Sequence, residues 1–308
     1  MAQVYKVDES FDYSLFLGSS CAFGVFDGVH MGHKFLLECA KNTATIDKGA
    51  SIALTFDRDP DEVFNPNRLK KLLTNEARIQ QLASCGIDYV VVLPFTLEFA
   101  GMTPNEFLEA TFNGHAPSHL HVGSDFRFGC RAAGTVKELR QWACSQGTTI
   151  DAHHLQAADG ATITATRIRG LLADHDLVEA RKLLGRPYAI TEKVISGRGE
   201  GRDMGFKTAN LQIPDQRKAI DDGVYSCYAI VDGKPYRAAV SVGVAPSFEN
   251  AQANCEVHIL DFTGDIYGDT IGVQFMEYLR PMIKFDSTEE LIQTVMANIA
   301  HTRESLAL

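Results

Sequence analysis

Two histidines three residues apart, His30 and His33, close the stretch Cys21 to His33, CAFGVFDGVHMGH. Their rings can donate hydrogen bonds to an anion. Gly28 and Gly32 between and before them lack a Cβ and so let the backbone approach a ligand closely. A helix beginning at such a turn adds N–H groups and a partial positive charge, which suits a phosphate. A bare HxGH more often caps a turn. Preceded by GVFDG and an apolar run, it reads as an anion site.

Four further groups carry chemistry. LHVGSDFRFGCRAAG, residues 120–134, places Asp125, Phe126, Phe128 and Gly129 on a glycine-rich loop with Arg127 and Arg131, which suits either a ligand loop or a packed loop with solvated arginines. ITATRIRGLL, residues 163–172, sets the hydroxyls of Thr164 and Thr166 beside Arg167 and Arg169 at a helix start. N–H groups, hydroxyls and guanidinium could converge there on triphosphate oxygens, although alone the pattern suits a capped helix with surface arginines. GRGEGRDMGFKTAN, residues 197–210, holds Gly197, Gly199, Gly201 and Gly205 and ends in Thr208 and Asn210. Such glycines permit a loop folded over phosphates or a plain hairpin, and the two neutral oxygens suit Mg2+. Glu256 in EVHILDF adds a carboxylate, which by itself reads as an outward residue on an alternating strand.

The elements that must hold these groups are legible in the patterning. Residues 15–26 read as a strand ending at the histidine turn, and KFLLECAKN, residues 34–42, has helical spacing. SIALT, residues 51–55, is a buried strand leading into FDRDPDEVF, which its Asp and Pro content marks as a loop at the carboxyl end of a sheet. TNEARIQQLASC, residues 74–85, is a capped helix stopped by Gly86. YVVVL, residues 89–93, is a third buried strand, and Thr103 with Pro104 opens another helix. Strand and helix alternating in this order predict an α/β domain with a parallel sheet. The pattern changes near Gly185, so the domains are expected at residues 1–185 and 186–308. YAITEKVI, GVYSCYAIV, YRAAVSVGV, CEVHILDF and IGVQFMEYL fit a small antiparallel barrel, and Ser287 onward a capped amphipathic helix.

Composition narrows the functions. The 308 residues suffice for two ordinary domains. A net charge of −10 at pH 7 argues against a broad nucleic-acid footprint and leaves an anionic substrate to local dipoles, a few basic residues or a metal ion. The start MAQVYKVDES lacks the features of a secretory signal, no apolar run reaches a membrane span, and seven scattered cysteines without CxxC pairs suit reduced thiols in a cytoplasmic protein.

GVFDGVHMGH closely resembles the GxFDGxHxGH signature of the nucleotidyltransferase superfamily, in the form used by bacterial bifunctional riboflavin kinase/FAD synthetases. The resemblance continues through GSDFRFG to ATRIR, similar to SSTxIR, and to GRGEGRDMGFKTAN, similar to GxGxGxxxGxPTAN. It implies a Rossmann-like parallel-sheet nucleotidyltransferase domain followed by a small antiparallel β-barrel riboflavin kinase domain with a C-terminal helix. It also implies that the barrel phosphorylates riboflavin to FMN with ATP and that the first domain adenylylates FMN to FAD with release of pyrophosphate. The implied partners are these small molecules, with no nucleic acid and no membrane. By the same resemblance His30, His33 and Arg169 act in adenylyl transfer. Gly24, Phe26, Asp27, Gly28, Gly32, Asp125, Phe128 and Thr166 border ATP there. Gly197, Gly199, Gly201, Gly205, Thr208 and Asn210 bind ATP in the kinase, Thr208 and Asn210 hold Mg2+, and Glu256 is the general base. The chain differs from the family pattern at Asp59, Ala165 and Lys207, where a histidine of a PHP-type sequence, a serine and a proline are usual. Two other readings stay open at this level: one active half only, or a non-catalytic flavin- or nucleotide-binding regulator.

Overall fold

The computed structural model describes residues 1–64, 70–155, 157, 159–195, 207–213, 219–244 and 254–307. The chain divides into two compact units, Met1–Ala165 and Thr166–Leu308.

In the first unit six strands pair side by side, all in parallel: β1 (Gln3–Lys6), β2 (Ser20–Phe23), β3 (Ser51–Phe56), β4 (Tyr89–Leu93), β5 (His119–Gly123) and β6 (Thr149–His153), in the order β1-β4-β3-β2-β5-β6. β3 is buried along its whole length, as expected of a strand covered on both faces. The connections carry α1 (Met31–Asp47), α2 (Pro60–Phe64), α3 (Asn75–Ala83), α4 (Leu97–Gly101), α5 (Pro104–Phe112) and α6 (Val136–Gln146). Their starts follow from side-chain caps. Thr74 accepts from Ala77 N–H, and Thr103 with Glu106 and Thr135 with Glu138 form capping boxes. On one side of the sheet an aromatic core gathers Phe16, Phe23, Phe56, Phe107, Phe112 and Trp142. On the other, Leu36, Leu37 and Ala40 of α1 pack on Ala22, Ala53 and Val90.

Two expectations need correction. The strand expected over residues 15–26 is only Ser20–Phe23, because Asp12 accepts from Ser14 N–H and caps a 3-10 turn, Tyr13–Phe16. The Asp- and Pro-rich segment after β3 contains α2, a short helix. Asp59 accepts from Asp61 N–H while its own N–H donates to Glu62, so the residues that mark loops here serve as a helix start. The edge strands β1 and β6 and the helix α6 were not anticipated.

The second unit begins with α7 (Ala165–Ala173) and α8 (Leu177–Leu184), the latter capped by Asp176 and closed by Gly185. It continues as a closed antiparallel barrel of β7 (Tyr188–Ile195), β8 (Ala209–Leu211), β9 (Gly223–Val231), β10 (Lys234–Gly243), β11 (Asn254–Ile259) and β12 (Thr270–Arg280), in the order β10-β11-β8-β7-β12-β9. Closure leaves no exposed sheet edge. The turn between α7 and α8 is fastened to the barrel by His175, whose ring stacks on Tyr278 at 3.7 Å and whose Nδ1 meets the Tyr225 hydroxyl at 3.0 Å. The last helix, α9 (Thr288–Ser305), is held by the buried Ser226–Thr302 hydroxyl pair at 2.8 Å and by Arg237 Nε donating to Leu306 C=O at 2.7 Å. None of the seven cysteines is in a disulfide, and among the described residues no helix is long and apolar enough to cross a membrane.

Candidate active sites

The histidine turn lies where β2 hands over to α1, at the carboxyl end of the central strands, the place where open α/β sheets bind ligands. Gly24 N–H still donates to Leu54 C=O at 3.1 Å. The chain then bends sharply: Phe26 and Val29 have φ of 60° and 40°, and Gly28 has φ of 74°, a left-handed value that glycine adopts without strain. His30 is the N-cap of α1, and its Nδ1 accepts from His33 N–H at 3.3 Å. An accepting Nδ1 puts the proton of the neutral ring on Nε2. The two imidazoles lie nearly parallel, 18° apart with centroids 3.5 Å apart, and Phe26 meets His33 edge-on at 5.1 Å. Gly32 permits this arrangement, since a Cβ there would stand 3.1 Å from Leu155 and 3.2 Å from the His30 ring.

His30 is 2% exposed. His33 is half-buried as a residue, but its Nδ1 is closed off from solvent and meets no hydrogen-bond partner among the described residues. Burial, reinforced by His30 and Arg78, holds His33 well below the usual imidazole range, so it is neutral at physiological pH. A buried neutral ring with an unsatisfied nitrogen has the chemistry to hydrogen-bond an incoming oxygen, since it has already lost the water that would otherwise compete.

Beneath the turn is Arg78, a residue that sequence reasoning missed. It is 2% exposed and donates to Val25 C=O and Thr55 Oγ1 at 2.6 Å, to Phe56 C=O at 2.7 Å and to Asn75 Oδ1 at 3.3 Å. One guanidinium therefore ties the loop after β2, the end of β3 and the start of α3 together. The available signal was an arginine at position i before Leu82 at i+4, on the apolar stripe of an amphipathic helix. Asp27, Asp57, Asp59 and Glu62 surround it electrostatically. Asp27 accepts from Leu72 N–H at 3.2 Å, Asp57 from Phe95 N–H at 2.8 Å, and Glu62 pairs with Lys71. Asp59, where the family pattern has a histidine, is pushed up to about 6, chiefly by burial and then by Asp27 and Asp61 against the lowering effects of Asp61 N–H and Arg78.

The other residues of the first constellation occupy different environments. Phe26 is buried in the core against α1, and Phe128, 4% exposed, packs on Phe107 and Phe126. Phe128 also pairs its backbone with Gly134. Asp125 is exposed on the turn after β5. Gly129 has φ of 71°, and a Cβ there would come within 3.0 Å of the Pro104 backbone. Thr166 and Arg169 lie in the first turns of α7, 3.4 Å apart, and belong to the second unit.

In the barrel, register brings together residues far apart in sequence. Asn210 of β8 stands directly opposite Glu256 of β11, which puts their Cβ atoms about 4.5–5.5 Å apart on one face. That face is the outward one: Cys255, Val257 and Ile259 are buried and alternate with half-buried Glu256 and His258. Asn210 is nevertheless only 7% exposed. Thr208, two residues earlier at the entry to β8, is half-buried, and His258 Nδ1 contacts Lys207 C=O at 2.8 Å. Thr208, Asn210 and Glu256 offer only oxygens among their metal-binding atoms, hard donors of the kind Mg2+ takes. Gly197, Gly199, Gly201 and Gly205 lie outside the described residues.

A parallel α/β sheet with a buried HxGH turn, continuous with a barrel carrying a Thr–Asn–Glu oxygen set, defines a two-domain nucleotide-using transferase. A family model for FAD synthetase matches residues 16–167, and one for riboflavin kinase matches residues 184–306. The chain is 32% identical to a bifunctional riboflavin kinase/FMN adenylyltransferase of Pseudomonas fluorescens, covering 93% of this chain and 92% of that one. It is also 32% identical to the corresponding protein of Escherichia coli strain K12, with 94% of each covered. A crystal structure described as a macrolide-efflux protein from Streptococcus pneumoniae superposes with a TM-score of 0.83 at 30% identity, covering 97% of this chain and 98% of that one. The chain belongs to the bifunctional riboflavin kinase/FMN adenylyltransferase family and is an enzyme with both activities.

Proposed function

We propose that FAD formation takes place at the His30–His33 turn and FMN formation at the Asn210–Glu256 ladder, with the two activities divided near Gly185. The observation that carries the first assignment is the stacked histidine pair at the start of α1, with His30 buried and the solvent-shielded Nδ1 of His33 meeting no hydrogen-bond partner among the described residues. His30, with its proton on Nε2, and His33 donate to phosphate oxygens of ATP while the FMN phosphate attacks the α-phosphorus and pyrophosphate leaves. Catalysis there is positioning and dispersal of developing negative charge by preorganised donors, with no covalent protein nucleophile. Thr166 and Arg169 are assigned to the same reaction by their match to the SSTxIR motif. Gly24, Asp27, Gly28 and Gly32 shape the turn around ATP. The buried positions of Phe26 and Phe128 fit packing support behind the pocket, and exposed Asp125 is assigned to its border by the match of GSDFRFG to the family motif.

In the kinase, Glu256 orients the primary alcohol of riboflavin and accepts its proton as the γ-phosphoryl group moves. Thr208 and Asn210 would hold Mg2+. That ion supplies charge neutralisation of the triphosphate. Gly197, Gly199, Gly201 and Gly205 are assigned to phosphate binding by their match to the GxGxGxxxGxPTAN motif, and Lys207 would add a positive charge to that site.

The test is a product assay with riboflavin, ATP and Mg2+, separating FMN from FAD. His30→Ala is expected to stop FAD formation and spare FMN formation. Glu256→Ala is expected to stop conversion of riboflavin while supplied FMN still becomes FAD. Equal loss of both activities in either variant, with folding intact, would sink the assignment of separate sites.

A further inference from the structure

At the opposite end of α1 from the histidine turn, a second group of histidines lies on the face of the sheet that α1 covers. His119 and His121 are alternate residues of β5 and so point to one face. Asp151 of β6 stands in register with His121. Asp151 Oδ2 is 3.3 Å from His119 Nδ1 and 3.9 Å from His121 Nδ1, and donor atoms of the three residues all lie within 4.8 Å of one another. Three donors held at about 2.0–2.1 Å from a tetrahedral ion are about 3.3 Å apart, so these separations need only small side-chain adjustments to close on one.

The outer nitrogens of both rings are oriented as metal-binding histidines require. His119 Nε2 faces the Asp47 carboxylate, the last residue of α1, at 3.2 Å, and His121 Nε2 faces Ser20 Oγ at 3.1 Å. Each ring can therefore give its N–H to an oxygen on the far side and keep the lone pair of Nδ1 inward, facing Asp151 in His119 and lying between Asp151 and His153 in His121, the arrangement that fixes tautomer and ring orientation in carboxylate–histidine–metal sites. His119 makes the point most sharply. Its two nitrogens face two different carboxylates, and a neutral imidazole has only one N–H to share between them. A second proton on the ring or a cation on the Asp151 side would satisfy both. His153, in the same strand as Asp151, brings Nε2 to 3.1 Å from His121 Nδ1 and is the nearest further donor.

We infer that His119, His121 and Asp151 form a binding site for a divalent transition metal of the zinc class, separate from both catalytic centres. The two-nitrogen, one-carboxylate donor set favours Zn2+, Co2+ or Ni2+ over Mg2+, which takes oxygen ligands in octahedral geometry. The ion would join β5 and β6 directly. Through His119 and Asp47 it would also reach the carboxyl end of the helix whose first turn carries His33.

The test uses the full, untagged chain, stripped with a chelator and titrated with Zn2+ in buffer containing excess Mg2+. Co2+ serves as the spectroscopic probe. The wild type is expected to bind one equivalent of Zn2+ and to give the visible bands of tetrahedral, nitrogen-ligated Co2+. Asp151→Asn and His119→Gln are each expected to abolish that binding while keeping the metal-free unfolding midpoint. Asp47→Ala, which removes only the outer partner, is expected to weaken binding about 10–100-fold. Absence of one-equivalent binding in the wild type overturns the inference. So does unchanged binding in a folded Asp151→Asn or His119→Gln variant, which would put the ion elsewhere, for instance at the His30–His33 pair. Octahedral Co2+ bands in the wild type overturn it independently of how any variant folds.

Discussion

Asp59→Asn should stabilise the first unit at neutral pH and do little in acid. The carboxyl of Asp59 is raised from 3.8 to about 6, burial being the largest cause. Folding therefore opposes its ionisation. A group raised by about two units costs roughly 3 kcal/mol once fully ionised. The sign follows from linkage: between the unfolded and folded values the native state binds more protons, so stability falls as pH rises through that window. Asparagine keeps the oxygen that accepts from Asp61 N–H at 2.9 Å and carries no charge to desolvate. Its advantage should be near zero at about pH 4, grow to about pH 6 and stay at up to 3 kcal/mol above that. The chain offers a local reporter, because its one tryptophan is Trp142, buried in the first unit and stacked on Phe112 at 5.3 Å. Urea unfolding followed by Trp142 fluorescence across this pH range measures the difference without interference from the barrel. An advantage for asparagine that is the same at all pH values, or that grows toward acid, would refute the reasoning.

Three other outcomes follow from the same region. Arg78→Leu leaves the Phe56 carbonyl without its Arg78 donor and Val25 C=O with only its 3.2 Å bond from Thr55 Oγ1, and with about 1–3 kcal/mol for an orphaned group and about 1 kcal/mol for a lost bond the stability read by Trp142 should drop by about 2–4 kcal/mol, with FAD formation lost and FMN formation retained; unchanged stability would contradict the role given to this arginine. Gly134→Ala places a Cβ 2.7 Å from the Phe128 ring, which is fixed between Phe107 and Phe126, so a loss of about 1–3 kcal/mol is expected in the same assay, and wild-type stability would show that the ring can move aside. Because His33 is held well below the usual imidazole range, the stability tied to its neutral form is complete above that range and is lost as pH falls toward its folded value. The rate of FAD formation should therefore show no inflection from this residue between about pH 8 and pH 6.5, and a clear one in wild type that His33→Asn abolishes would overturn the assignment.

The parts of the fold that could be read from sequence are those whose signals are local. Buried strands such as SIALT and YVVVL, the caps at Thr74 and Thr103 and the GVFDGVHMGH turn all announce themselves within a dozen residues. β1 and β6 were missed because edge strands are short and only partly buried, so neither a continuous apolar run nor a clean alternation marks them. The pairing of Asn210 with Glu256 depends on the register of β8 against β11, which no local pattern encodes. Arg78 was hidden for the opposite reason: a charge on an apolar helical stripe looks like a break in the pattern until the carbonyls it satisfies are known. Phe26 and Phe128 sit in recognisable motifs, yet their rings lie in the core. Motif membership identified their neighbourhood, and packing assigned them to it.

The chemistry of the histidine turn also explains how a chain of net charge −10 can work on polyanions. Arg78 spends its hydrogen bonds on backbone carbonyls and on Thr55 and Asn75, and four carboxylates offset its charge. It is a structural cation in a neutralised setting. What the turn offers an anion is dipolar: the start of α1, a His30 ring with its tautomer fixed by His33 N–H, and a neutral His33 whose Nδ1 is desolvated and meets no hydrogen-bond partner among the described residues. Such donors need no counter-charge and little reorganisation when negative charge develops. Replacing His33 by lysine should therefore impair the site. It would bring a full charge into a pocket that depresses cationic forms, and remove the ring that stacks on His30, while the backbone N–H that fixes the His30 tautomer would remain.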